Sequence, residues 1–316
     1  MASLRLNNQE GEIMGFVALV VALFVEQALS VKVHARWHGL PAVWVAWCAQ
    51  RLSSRGTFGA WWSWCLMVIA PALVVMLVDQ LLGQLWGLFA WLWQIAVMAA
   101  ALGFGQFAKR SAQLREAVEL NDREAALQAL SVWSWRGASQ VVDWRARALG
   151  AAMVAAHRQV LAIVSAALVG WLLGSAVFAV VVYAMASAVR QADATEALQG
   201  GRLAEVAHTA WRWIEGLAVR ITVLSLALTG SFERVLVAWR ENSTGDATAH
   251  DRLLLSATGA ALDLDDAVWD EALGDLPTAD VSAVGLIHFS ALDQLVWRSL
   301  STGLAVFALL ALVRWL

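Results

Sequence analysis

Two long apolar runs, residues 63–82 and 84–105, follow each other with no charged residue at their junction. Each run is long enough to cross the roughly 30 Å hydrocarbon core of a bilayer as an α-helix. The connection at Gly83 and Gln84 predicts a tight helical hairpin, because backbone groups in lipid are satisfied only within such elements. The two ends of the hairpin are therefore expected on the same side of the membrane.

Composition agrees with the bilayer as the solvent of this chain. Hydrophobic residues make up 60% of the sequence and charged residues 15%, whereas a soluble domain carries about 25% charged residues. A soluble globule of 316 residues would lack an ionic surface at this composition. The net charge of −3 provides no basic face, so no nucleic-acid partner is expected.

Four further segments are apolar enough to lie in or on the membrane. They are residues 14–30, 160–189, 217–232 and 299–316. The 160–189 run is too long for one upright helix, so it is either one strongly tilted helix or two limbs bent near Gly170, Trp171 and Gly174. We favour the bent pair. Residues 217–232 are interrupted by Arg220, which favours an interfacial helix there.

Basic side chains concentrate in two segments between the spans, residues 31–62 and 106–159. The second holds eight Lys or Arg residues against five acidic ones. Lys and Arg near span ends favour the cytoplasmic side, and the hairpin places both segments on one side. Within residues 106–159, apolar positions at helical spacing predict a helix that lies along the membrane surface.

These features predict an all-α, polytopic integral membrane protein with about five to six transmembrane helices and a membrane-associated cytoplasmic helical segment. Residues 1–13 are polar and are predicted to be a disordered N-terminal extension, which leaves residues 14–316 as a single membrane domain. Residues 241–293 carry eleven acidic groups and one arginine. A solvated acidic face is the favoured interpretation, and a site for a cation or cationic ligand is the alternative.

Ionisable residues inside apolar segments are the candidates for function, because a charge buried in lipid needs a partner or a cavity. Glu26 with Gln27 in the first span and Asp79 in the second meet this description. Each is close to a span end, so each either contacts water at the membrane border or faces inward.

His157 and Arg158, at the start of the 160–189 run, are the most informative pair. A titratable imidazole beside a permanent cation suits a phosphate or carboxylate ligand, and a lipid phosphate is the alternative. Arg136 extends this basic band. No metal-binding or cofactor-binding spacing occurs in the sequence, so we expect neither a metal nor a cofactor.

Several short motifs follow one another along the chain in a characteristic order. They are Phe24–Gln27, Gly103–Phe107, Trp135–Ala138, His157–Val160, Arg220, Leu228–Glu233, Ala238–Arg240, Ala283–Leu286 and Leu295–Arg298. In order and spacing they resemble the CobD/CbiB family of cobalamin-biosynthesis membrane proteins, and more closely its divergent AmpE-like branch. The likeness extends from about Met14 over nearly the whole chain.

Synthases of that family attach an aminopropanol phosphate arm to adenosylcobyric acid, and they carry several acidic motifs. The corresponding stretches of this chain have lost those carboxylates; they are Ser30–His34, Arg136–Ala138, Ala152–Val160 and Tyr183–Gln191. Such a reaction needs carboxylates to hold a metal ion and a base. The resemblance therefore implies a non-catalytic AmpE-like signalling or accessory protein. The alternative that it implies is an adenosylcobinamide-phosphate synthase-like enzyme.

The resemblance also indicates location and partners. It implies a multi-pass protein of the bacterial inner (cytoplasmic) membrane, in contact with membrane lipids. A corrinoid, a cell-wall-related ligand or another membrane protein is the further partner that it suggests. The candidate ligand-binding residues are Glu26, Gln27, Arg136, His157 and Arg158.

Overall fold

The computed structural model describes residues 2–28, 31–51, 56–131, 133, 144–194, 201–242, 247–264 and 284–315. Over these ranges the chain is helical and contains no strand, which confirms the predicted all-α class. The abundance of Ala, Leu and Val explains the class, because these side chains fit a helix that is surrounded by apolar contacts.

The helices follow one another with short connections. They are α1 Ala2–Ala28, α2 Val31–Arg51, α3 Thr57–Leu85, α4 Gly87–Ala101, α5 Phe104–Glu119, α6 Arg123–Ser131, α7 Trp144–Ala156, α8 Ala162–Leu172, α9 Ala176–Ala194, α10 Arg202–Thr229, α11 Phe232–Asn242, α12 Ala247–Leu262 and α13 Leu286–Trp315. A π-helical turn, His157–Leu161, joins α7 to α8.

Several helical segments of the described chain are long and apolar enough to cross a membrane. They are Thr57–Leu85, Gly87–Glu119, Trp144–Leu172 and Leu286–Arg314, and shorter apolar helices cover Gly15–Ala28 and Ala176–Ala192. In Thr57–Leu85 only 17% of the most apolar window is buried. A helix whose apolar side chains are exposed to this extent is typical of a helix that contacts lipid. The exact number of crossings stays a prediction.

Three structural features add to the sequence predictions. α1 begins at Ala2, within the segment 1–13 that was expected to be disordered. The basic segment 31–62 contains a helix, α2, although Pro41 lies inside it. Residues 1–103, 163–215 and 304–316 form one compact unit and residues 104–162 and 216–303 form a second, and the single membrane domain expected for 14–316 stays a prediction. Apolar periodicity could not show this division, because both units are built from similar helices.

The first unit contains the predicted hairpin, α3 packed against α4. Its turn lies at Trp86 rather than at Gly83 and Gln84, since α3 continues to Leu85 and Trp86 adopts an extended backbone. α1 packs on α4, and α9 packs on α2, α3 and α4. A cluster of aromatic rings also stabilises this unit, with Phe307 between Phe16 and Trp171 at centroid distances of 5.2 Å each.

The apolar run at 160–189 bends close to the glycines that predicted a bend. α8 ends at Leu172 and α9 begins at Ala176. Gly174 has a φ of +99°, a conformation that favours glycine. At Gly170 an added Cβ would lie 2.6 Å from the backbone oxygen of Ser175, so only glycine permits this close turn.

The second unit is built on α5, α6, α7, α11 and α12. α11 packs on α12, α5 packs on α6 and α7, and α12 packs on α7. Its core is aliphatic and includes the fully buried side chains Leu114, Leu149, Met153, Leu226 and Leu254. The α7 helix is buried from Ala146 to Ala156 except at Arg147, and its alanines and Gly150 let neighbouring helices approach closely.

Candidate functional site

The π-helical turn His157–Leu161 interrupts the continuous helix that runs from Trp144 to Leu172. Turns of this kind are uncommon within α-helices and are frequent at functional sites. This one contains both residues of the His157–Arg158 pair. The pair therefore lies at an irregular point of the helix rather than on a uniform face, and both side chains contact other helices of the second unit.

His157 has no exposed surface. Its Nδ1 shares a hydrogen bond of 3.0 Å with Oγ1 of Thr222, which lies on α10 and is 2% exposed. A hydroxyl beside an imidazole is the arrangement of an activated nucleophile. Here both groups are buried, and the hydrogen bond joins the π turn to α10.

Arg158 forms an ion pair with Asp251 of α12. Its Nη2 donates to Oδ1 at 2.9 Å and to Oδ2 at 3.2 Å. The two side chains are 31% and 20% exposed, so the pair is half-buried at the edge of the second unit. The guanidinium that the sequence offered to an anionic ligand is thus already neutralised by a carboxylate of the chain.

Gly216 of α10 lies where α10 is crowded by the side chain of His250. An added Cβ at this position would lie 3.0 Å from His250 Cε1 and 3.0 Å from Arg220 Nη1. Arg220 Nη1 donates to the carbonyl oxygen of Gly216 at 3.0 Å. A methyl group at Gly216 would therefore require the side chains of His250 and Arg220 to shift by a few tenths of an ångström.

The acidic segment also contributes structural ion pairs within the second unit. Asp293 accepts a hydrogen bond of 2.8 Å from Ser111 and pairs with Arg115 at 3.1 Å. Asp263 pairs with Arg234 at the surface. Together with Asp251, these carboxylates show that part of the segment binds arginines instead of being only a solvated face. Residues 243–246 and 265–283 of the segment lie outside the described residues.

A shallow groove of about 520 Å³ lies near Asp293 in the same unit. It is lined by Ala112, Arg115, Glu116, Glu119, Leu286, Ile287 and Ser290. Its two glutamates and its arginine, which already pairs with Asp293, give it no net affinity for an anion. None of the predicted ligand-binding residues that the structure describes lines this groove.

The remaining sequence candidates are divided between buried, exposed and undescribed positions. In the first unit, Glu26 is buried, with 3% of its surface exposed, whereas Gln27 is exposed. Arg136 lies outside the described residues. Hence the structure gives His157 and Arg158 side-chain partners, and it separates Glu26 and Gln27 into one buried and one exposed residue.

The sequence analysis missed a second buried polar pair, Tyr183 and Glu215, in the first unit. The hydroxyl of Tyr183 donates to Oε2 of Glu215 at 2.8 Å, and the two residues are 2% and 1% exposed. Tyr183 is the only tyrosine in the chain, and Glu215 is a lone acid in an apolar stretch. Both features were visible signals, because single polar residues in apolar helices need partners.

Thiol and metal chemistry find little support in the described structure. Burial raises the pKa of the Cys48 thiol, which lies on α2 outside the candidate spans, so little of it is present as nucleophilic thiolate. Among the described residues, no group of three or more His, Cys, Asp or Glu side chains gathers in a way that could hold a metal ion.

The Arg158–Asp251 pair leads to a testable prediction about stability. In a double-mutant cycle of Arg158→Ala and Asp251→Ala, we expect a coupling free energy of about 1 kcal/mol, because a half-buried pair is less screened than a surface pair. Denaturation in mixed detergent micelles would measure it. The exposed Arg234–Asp263 pair, with 51% and 79% exposure, is the matched control and should give almost no coupling. Equal coupling in the two cycles would contradict the prediction.

Comparison of this chain with protein-family models, with curated proteins and with solved structures finds no match.

Proposed function

We propose that the chain is a multi-pass protein of a bacterial inner membrane, an AmpE-like relative of the CobD/CbiB proteins that acts in signalling or as an accessory protein rather than as a synthase. The observation that carries this proposal is the bonding of His157 and Arg158. These are the strongest candidates for binding a substrate, and each one instead joins two helices of the second unit.

The membrane part of the proposal is supported by the apolar helices. Several of them reach the length of a span, and their large side chains remain exposed in the absence of lipid. Examples are Leu73, Leu77 and Leu81 on α3, which are 41%, 53% and 58% exposed. Apolar surface of this extent is stable only against lipid or another protein. Membrane lipids are accordingly its first proposed partners.

Binding of an anionic substrate is disfavoured by the ion pair. A phosphate or carboxylate that used Arg158 would have to displace Asp251 and then remain beside a carboxylate of equal sign. Displacing Asp251 from Arg158 would leave a half-buried carboxylate without its partner, which costs free energy. A synthase that handles a phosphate would therefore lose binding energy at this position, whereas an accessory protein needs no such site.

The π turn supports a signalling role. A π turn contains one residue more than a regular α-helical path, and each residue rotates an α-helix by about 100°. Conversion of His157–Leu161 to α-helix would therefore rotate the residues after it relative to those before it. A membrane protein or a cell-wall-related ligand is the proposed partner that would act on this turn.

Complementation tests the choice between signalling and synthesis. The chain is expressed in a bacterial strain that lacks adenosylcobinamide-phosphate synthase, growth that depends on corrinoid is scored, and immunoblotting of the membrane fraction verifies expression. We expect no rescue, with an authentic synthase on the same vector as the positive control. Rescue by this chain would overturn the proposal and support the synthase alternative.

A second experiment tests the signalling role itself. The resemblance to AmpE-like proteins implies a link to the induction of β-lactamase. In a strain without its own AmpE-like protein, expression of the chain should therefore alter this induction by a cell-wall inhibitor. The variant His157→Ala, at equal abundance in the membrane, should lose this effect because the π turn loses its tie to α10. Unchanged induction with the wild-type chain would contradict the proposal.

A further inference from the structure

The α3–α4 hairpin, residues 57–101, contains a single charged side chain, Asp79. It lies on α3 within a candidate span, six residues before the helix ends at Leu85. The partner helix α4, Gly87–Ala101, has no ionisable side chain. A lone carboxylate in so apolar a hairpin is the kind of residue that marks a site in membrane proteins.

Asp79 is held by the neutral amide of Gln94. The Nε2 of Gln94 lies 3.2 Å from Oδ1 and 3.2 Å from Oδ2 of Asp79. One residue earlier, the indole Nε1 of Trp93 donates to the carbonyl oxygen of Val75 at 3.4 Å, which fixes the register of the two helices. Gln94 and Trp93 together therefore hold Asp79 against α4.

No cation balances this carboxylate in the part of the chain that the structure describes. The helices that pack on the hairpin are α1, α2 and α9. Their ionisable side chains within the described structure are Glu26, Cys48, Arg51, Tyr183 and Arg190, and none of these pairs with Asp79. A charged Asp79 would thus have an uncharged amide as its partner.

Large apolar side chains are exposed around Asp79, beside the polar side chains of Gln80 and Gln84. Leu77 and Leu81, two residues to either side, are 53% and 58% exposed, and Leu85 and Trp86 at the turn are 72% and 67% exposed. Such side chains contact lipid in a membrane. Placing an unpaired carboxylate among them costs several kcal/mol, whereas a protonated carboxyl group avoids that cost.

Gln94 supplies a second, independent observation. Its Oε1 is buried and has no hydrogen-bond partner, while its Nε2 faces both oxygens of Asp79. A proton on Asp79 removes this mismatch after a small rotation of the amide: the Asp79 hydroxyl donates to Gln94 Oε1, and Gln94 Nε2 donates to the Asp79 carbonyl oxygen. This planar acid–amide pair satisfies every polar atom of both groups.

We propose that Asp79 and Gln94 form a proton-binding site inside the α3–α4 hairpin. Binding adds one proton to the carboxylate and breaks no covalent bond. The protonated site is neutral and keeps two hydrogen bonds between the helices, whereas the deprotonated site carries a charge beside exposed apolar side chains. This inference uses none of the residues behind the proposed signalling function.

Infrared spectroscopy of the protein in lipid vesicles at neutral pH tests whether Asp79 is protonated. The wild-type protein should show the carbonyl stretch of a protonated carboxylic acid, and Asp79→Asn should lose that band. Asp122→Asn is the matched control, because Asp122 is exposed and caps α6 through the backbone N–H of Ala125 at 3.0 Å. The control should keep the band.

Two further measurements protect the test against a variant that does not fold. Labelling of the aspartate carboxyl carbon with ¹³C should shift the band in the unaltered protein, since a glutamate band would not move. Gln94→Leu should move the band to higher wavenumber, because the acid loses its amide partner. The proposal is overturned if wild type and Asp79→Asn have the same carboxylic-acid band, or if neither the label nor Gln94→Leu changes it.

Discussion

Truncation of Phe307 to alanine is expected to lower the free energy of unfolding by about 4 kcal/mol, the largest single effect that the structure predicts. Phe307 has no exposed surface and packs edge-on against Phe16 and at a tilt against Trp171, each at 5.2 Å between centroids. Arg314 lies over the same Trp171 ring at 5.2 Å. Loss of the phenyl ring would leave a cavity between helices that are distant in sequence.

Unfolding in mixed micelles of increasing denaturing-detergent content would measure this loss. Leu309→Ala is the matched control, since Leu309 lies on the same helix and is 62% exposed. Its truncation should cost less than about 1 kcal/mol. Similar losses for the two variants would show that α13 does not enter the core through Phe307.

His157→Ala is expected to lower the free energy of unfolding by about 3 kcal/mol. The substitution removes a fully buried ring and its 3.0 Å hydrogen bond to Thr222. The cavity contributes most of the loss, and the hydroxyl of Thr222 left buried adds about 1 kcal/mol or more. Thr222→Val removes the hydrogen bond with little change in volume, so it should cost about 1 kcal/mol.

The same micelle denaturation would compare His157→Ala with His208→Ala, a partly exposed histidine on α10. The control is expected to lose less than about 1 kcal/mol. If both histidine variants unfold alike, His157 does not stabilise the π turn, and the signalling proposal loses its structural basis. A large loss for His157 with a small loss for Thr222→Val would assign the effect to packing rather than to the hydrogen bond.

Much of the secondary structure could be predicted because apolar patterning is local. The hairpin of α3 and α4 follows from two uncharged runs, and the break near Gly170 and Gly174 follows from an apolar run longer than a span. Residues 1–13 were predicted to be disordered because they are polar, whereas α1 begins at Ala2. Polarity alone does not decide whether an adjoining helix continues into a polar segment.

The candidate site could be predicted only in part. His157 and Arg158 stood out as ionisable residues beside an apolar run, but their partners could not be inferred. Asp251 was one of eleven acids in a segment that resembled a solvated face, and Thr222 was an unremarked residue in an apolar helix. Pairing across 65 and 93 residues depends on how helices pack, and the sequence provides no local sign of it.

The sequence by itself determined that this chain is helical, that it has surfaces suited to lipid, and that few charged groups lie inside its apolar runs. Those properties depend on the order of side chains within about 20 residues. Only the tertiary structure decided that the helices form two units, that a π turn holds His157 and Arg158, and that Asp79 is held by Gln94. Each of these depends on contacts between distant helices, because a polar group in an apolar interior is stabilised only by the particular partner that packing brings to it.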